Sequence, residues 1–110
     1  VHYASDETFY ILDGKIGFLI EDRNYDAGPG DVVLAPRGIP HAFKIKSRVA
    51  RAITVCTPSG FEQWFRQLGE PAKSFDLPDK VVPFSEADFE RMLALSKQLQ
   101  TEIIPKQADF

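Results

Sequence analysis

The sequence has little of what builds stapled or cluster-bearing sites. Cys56 is the one cysteine in 110 residues. A single thiol excludes an intrachain disulfide and any multi-cysteine zinc or iron–sulfur centre, and it suits a reducing compartment. Histidine occurs only at His2 and His41. No apolar run approaches the roughly 20 residues that cross a bilayer, so no membrane partner is expected. No basic stretch followed by an apolar one opens the chain, so no secretory signal is expected and a cytoplasmic location is. Positive charge is not in excess: 13 Lys+Arg stand against 16 Asp+Glu, a net charge of −3. That balance argues against nucleic acid as a partner, because a phosphate backbone demands a basic face.

What is present reads as one soluble domain. Hydrophobic residues make up 44% and charged residues 26%, enough of both for a packed core under a solvated surface. The first half reads as β-strands. Glu7 to Leu12 is rich in aromatic and β-branched residues, and Asp13-Gly14 after it is a hairpin signal. Lys15 to Glu21 resumes as a strand, with Ile16, Phe18 and Ile20 on one face. Tyr25 to Ala27 and Val32 to Ala35 are short strands separated by Gly28-Pro29-Gly30-Asp31. His41 to Lys46 alternates, placing His41, Phe43 and Ile45 on one apolar face. Arg51 to Cys56 is a last strand. Short strands broken by Gly and Pro predict an antiparallel sandwich or small barrel.

The second half changes character. Ser59 with Glu62 has the spacing of a capping box, and Phe61, Trp64, Phe65 and Leu68 share one helical face ahead of Gly69. Pro71, Pro78 and Pro83 make residues 70–84 an extended connection. Ser85 with Asp88 opens a second helix with Phe89, Met92, Leu93 and Leu99 as its apolar stripe, and residues 100–110 read as a tail. The expected division is therefore a β core over residues 1–58 and a helical extension over 59–110, packed on the core or on a partner.

Imidazole and carboxylate groups are ligands for Fe, Mn, Ni, Cu or Zn. A set of two His and one carboxylate leaves coordination positions open for substrate or O₂. His2, Glu7 and His41 are the residues available for such a set. Taken alone they also fit ordinary core or surface roles.

Their spacing adds more. HYASDETFYILDG places His2, Glu7 and Gly14 in one run, and GDVVLAPRGIPH places Gly30, Pro36, Gly38 and His41 in another. These runs resemble the two motifs of the cupin superfamily. The first is Gly, five residues, His-x-His, three or four residues, Glu, six residues, Gly. The second is Gly, five residues, Pro-x-Gly, two residues, His, three residues, Asn. The resemblance covers residues 1–58 and implies a mainly β fold, an antiparallel jelly-roll barrel carrying C-terminal helices. It implies that His2 stands at the second His of the His-x-His pair, Glu7 at the carboxylate and His41 at the second-motif His, together holding one divalent transition metal. The first His of the pair would precede Val1, and a further ligand is expected there in a longer protein. Ile45 replaces the second-motif Asn and makes the site more apolar.

The helical junction also resembles that of small bacterial cupins, including quercetin dioxygenase-like proteins. The resemblance implies a small-molecule ligand, a homodimer and, if the chain is an enzyme, a metal-dependent oxygenase. A non-catalytic ligand-binding cupin and a cupin-type isomerase are the alternatives. Phe9, Phe18, Phe43, Ile45 and Val55 are expected either to line a pocket or to fill the barrel core. Arg51 is expected either to bind a substrate anion or to sit at a sheet edge. No Ser–His–Asp or Cys–His arrangement has supporting context.

Overall fold

A computed structural model of the chain describes residues 1–104. Six strands come first: β1 (Asp6–Asp13), β2 (Ile16–Ile20), β3 (Arg23–Ala27), β4 (Val32–Ala35), β5 (His41–Ile45) and β6 (Arg51–Thr57). Two helices follow, α1 (Glu62–Leu68) and α2 (Glu86–Gln98). The strands form two antiparallel three-stranded sheets, ordered β4-β1-β6 and β3-β2-β5. Among the described residues no helix is long and apolar enough to cross a membrane.

The sheets pack through one cluster drawn from both. Phe9 and Ile11 of β1 and Ala35 of β4 meet Ile16 and Phe18 of β2 and Ala27 of β3. The period of two explains the choice. Registers Ile20↔His41, Phe18↔Phe43 and Ile16↔Ile45 put the inward residues of β5 beside those of β2. Registers Glu7↔Ala35 and Phe9↔Val33 do the same for β1 and β4. The barrel is not closed. Phe43 points inward, with its ring 5.8 Å from that of Phe9, yet stays 56% exposed. Ala52 and Thr54, on the inner side of β6, are exposed as well.

The turn between β1 and β2 requires its glycine. Gly14 has φ +79°, and a Cβ there would lie 2.2 Å from the Val49 carbonyl oxygen. Neither the conformation nor the contact tolerates a side chain. Gly14→Ala is expected to destabilise the fold by at least about 2 kcal/mol, measured by urea unfolding with an unchanged m-value.

The helical extension departs from the sequence pattern in three places. Helix α1 begins without a side-chain cap: Phe61 is its N-cap residue, and Glu62 accepts instead from the Gly60 N–H at 2.6 Å. Ser59 takes no part because the helix starts too late to use its hydroxyl. The Ser85–Asp88 capping box is present at α2. Its buried side is rotated from the expected stripe: Leu95 and Ser96 are buried and Met92 and Leu99 half-buried, while Phe89 and Leu93 are exposed. The rotation turns the face around Leu95 toward α1, the element α2 contacts. The expected tail is partly structured, because Thr101 bridges to His2. Residues 105–110 of that tail lie outside the described residues. The connection between the helices, expected to be extended, is irregular with bends at 73–76 and 79–80, and it leaves Phe75, Leu77, Val81, Val82 and Phe84 in solvent.

Candidate metal centre

Three elements each deliver one residue to the same point. Glu7 lies near the start of β1, His41 opens β5, and His2 sits in the short bridge that pairs with Thr101. One ligand atom from each falls within 4.8 Å of the others. The Oε2 atom of Glu7 is 2.8 Å from His41 Nε2 and 3.2 Å from His2 Nε2. Side chains at the site are nearly buried, with exposures of 12% for His2 and Glu7 and 8% for His41.

Local structure holds these residues in place. The turn between β4 and β5 contains Gly38 at φ +79°. Its N–H donates to the His2 carbonyl at 2.7 Å, which ties the His41 approach to the His2 strand. Arg37 in the same turn fastens it to β1: its backbone N–H and its guanidinium both bond the Asp6 carboxylate. That guanidinium holds the Asp6 carboxyl below its ordinary range. Phe61, at the head of α1, packs edge-on against the His2 ring with centroids 4.5 Å apart. The helical extension thus touches the site at Phe61 and again at Thr101.

The outer nitrogens of both rings are tied off. His41 Nδ1 lies 3.3 Å from the Ile39 carbonyl oxygen, which can only accept, so this nitrogen carries the proton. His2 Nδ1 lies 3.1 Å from the Thr101 hydroxyl, whose own proton has an acceptor in the Leu99 carbonyl at 3.3 Å. In the neutral rings both Nε2 lone pairs therefore face Glu7 Oε2. Three electron-rich atoms converging in this way require positive charge among them. Hydrogen bonds between each Nε2 and Oε2 satisfy them in pairs, whereas one divalent cation satisfies all three atoms together.

The two distances to Glu7 can be set against those of such a cation's ligands, the third spacing lying within 4.8 Å. With metal–ligand bonds of about 2.1 Å and angles of roughly 90–110°, neighbouring ligand atoms stand about 3.0–3.4 Å apart. The observed 2.8 and 3.2 Å are close to that range. Burial alone would raise the Glu7 carboxyl, but hydrogen bonds from His2 and His41 outweigh it and hold the group at about 2, against an ordinary 4.5. A carboxylate held low stabilises the fold above its unfolded value and loses that contribution as pH falls through the folded one. In metal-free protein the thermal midpoint is expected to fall between about pH 4.5 and 2, and Glu7→Gln is expected to flatten part of that acid limb, as read by a midpoint-against-pH series.

The residues expected around the pocket divide by face. Phe9 and Phe18 are core, and Phe43 and Ile45 lie on the inner face at the barrel's open side. Val55 is corrected, and Arg51 takes the sheet-edge place rather than the pocket. Register Glu7↔Cys56 puts Cys56, not Val55, on the side of the site. Val55 stands opposite Thr8 on the outer face, where it is 50% exposed. Arg51 is exposed and pairs with Asp13 at 3.2 Å beyond a register shift in the β1–β6 ladder. Parity within β6 could not reveal this, because only pairing with β1 decides which face is inner. Cys56 is half-buried, and burial together with the carboxylates of Glu7 and Glu62 pushes its thiol up, away from a reactive thiolate.

Thr101, Phe61 and the Arg37–Asp6 pair are site neighbours that no spacing announces. They come from distant parts of the chain and carry no motif. One signal was available: Arg37 lies inside the Pro36-Arg37-Gly38 turn that leads to His41.

Known proteins share this arrangement of strands. Over 77 residues the chain is 30% identical to the quercetin 2,3-dioxygenase of Bacillus subtilis (strain 168), a match covering 70% of this chain and 23% of that one. Over 56 residues it is 29% identical to the uncharacterized protein MJ1618 of Methanocaldococcus jannaschii, covering 51% and 45%. The chain thus spans less than half the length of either relative. Among solved structures it is similar to KdgF from Halomonas sp., with a TM-score of 0.53, 21% identity and 56% of each chain covered. TT1209 from Thermus thermophilus gives a TM-score of 0.50 at 30% identity, with 53% of this chain and 56% of that one covered. The Cupin domain family model matches residues 1–58, the stretch that carries all three converging side chains, and the chain belongs to the cupin family.

Proposed function

We propose that His2, Glu7 and His41 hold one divalent transition metal and that the chain presents it to a small organic molecule. The observation behind this reading is the convergence of two imidazole Nε2 atoms on one carboxylate oxygen, with both Nδ1 atoms already tied to acceptors. Bound there, the metal would act as a Lewis acid toward an oxygen-bearing ligand and, if redox-active, exchange electrons with it.

The chain's own residues supply the surroundings. Glu7 contributes the negative charge that favours a dication. Phe43, exposed on the same face of β5 as His41, offers an apolar surface on which an aromatic or aliphatic ligand can lie. Oxygenation is the reaction class we favour, supported by the 30% identity to a quercetin 2,3-dioxygenase over most of this chain. We further propose a homodimer, because the outer face of the β4-β1-β6 sheet exposes Tyr10, Val32, Leu34, Ile53 and Val55.

Elemental analysis of protein purified without added metal and without a metal-binding tag tests the metal reading. Near-stoichiometric Fe, Mn, Ni, Cu or Zn, abolished by both His41→Ala and Glu7→Ala, is the expected result. Protein that takes up none of these metals overturns it. An O₂-uptake screen then separates the reaction classes: ligand binding without O₂ consumption would make the protein a binding module, and conversion without O₂ an isomerase.

A further inference from the structure

His2 lies outside the six strands, held by Gly38 and Phe61 and bridged to the segment following α2. The Val1 and Glu102 backbones bond each other through Glu102 N–H to Val1 O at 2.8 Å, and Tyr3 N–H bonds Gln100 O at 2.8 Å. Between these bonds Thr101 lies directly opposite His2, and its Oγ1 is 3.1 Å from His2 Nδ1. The same hydroxyl is 3.3 Å from the Leu99 carbonyl oxygen.

We propose that Thr101 is a positioning residue for the metal centre. By donating to Leu99 O it turns a lone pair toward His2, accepts the Nδ1 proton and so keeps Nε2 free to ligate. The inference rests on the metal reading above. A ligating histidine depends on its outer hydrogen bond for both tautomer and ring orientation, and loss of such a partner typically weakens metal binding about 10–100-fold. A carbonyl does this for His41; for His2 the work falls to a hydroxyl 99 residues away in sequence. Gln100, at φ +52°, turns the chain out of α2 so that Thr101 faces the site.

The test is a zinc titration in competition with a chromophoric chelator on four proteins: wild type, Thr101→Val, Thr101→Ser and His41→Ala. Valine keeps the shape and removes the hydroxyl. It is expected to weaken zinc binding about 10–100-fold, with serine restoring it to within about threefold of wild type. Nitrogen-15 NMR of the zinc-loaded proteins provides a second readout. The His2 Nδ1 proton is expected to be protected from solvent exchange in the wild type and to exchange faster in Thr101→Val, whereas the His41 Nδ1 proton is unchanged. A purely structural role would lower the thermal midpoint without moving the His2 signal alone. Unchanged affinity in Thr101→Val, beside lost binding in His41→Ala, overturns this proposal and leaves the metal reading intact. A wild-type chain that binds no zinc or other transition metal overturns both.

Discussion

His41→Ala is expected to lower metal affinity more than about 100-fold while leaving the protein folded. Losing an outer partner of a ligand costs about 10–100-fold, and losing the ligand itself must exceed that. His41 is the better choice for removal because its strand survives the change. It opens β5 opposite Ile20, and truncation deletes a ring from the rim of the barrel rather than from the Phe9–Phe18 cluster. Glu7 also keeps a partner in the variant, because His2 Nε2 remains 3.2 Å away. Glu7→Ala would instead leave two imidazoles side by side, their centroids 5.0 Å apart, with no carboxylate between them. Isothermal titration with zinc, run beside a circular dichroism melt, measures both halves of the expectation. Unchanged affinity would remove His41 from the ligand set.

Phe18→Ala is expected to destabilise the fold by about 3–5 kcal/mol, the cost of emptying a well-packed aromatic site. Phe18 is 1% exposed, lies at the middle of β2 and contacts Phe9 with ring centroids 5.0 Å apart. Total stability for a domain of this size is about 5–15 kcal/mol, so the loss is a large share of it. A shift of about 4–8 °C per kcal/mol puts the thermal midpoint roughly 12–40 °C lower. Phe65→Ala is the contrast. The Phe65 side chain is 68% exposed on α1, and its removal is expected to change stability by less than about 0.5 kcal/mol. A fall of similar size in both variants would mean that the core does not centre on Phe18.

These two residues also show which parts of the molecule are legible in the chain. Phe18 could be assigned to the core from period-two alternation, and His41 to the same inner side from its parity with Phe43 and Ile45. Both inferences need only the strand on which the residue lies. The grouping of His2, Glu7 and His41 was legible only through the resemblance of the two runs to the cupin motifs, since taken alone the three residues also fit ordinary roles. Faces that depend on pairing were not. The side of β6 that looks inward is decided by register Glu7↔Cys56, which is why Val55 and Arg51 lie away from the site. Thr101 was hidden for the same reason in stronger form, because its partner is at the other end of the chain. The start of α1 was misplaced because Ser59 and Glu62 match a capping box in spacing alone, while the helix begins at Glu62 behind Phe61, which is already in the helical region and offers no side-chain cap.

The bridge between His2 and Thr101 bears on the kinetics of the site. It joins residues 99 apart in sequence and is secured by a few hydrogen bonds rather than by a sheet. Such segments open at far lower free energy than the sheets they border. Opening it would withdraw His2 while leaving Glu7 and His41 on their strands. For the metal proposed above, exchange is expected to follow opening of this bridge and not unfolding of the sheets. A bound ion, by favouring the closed form, is expected to slow hydrogen exchange at the Tyr3 and Glu102 amides before it slows exchange anywhere in the core.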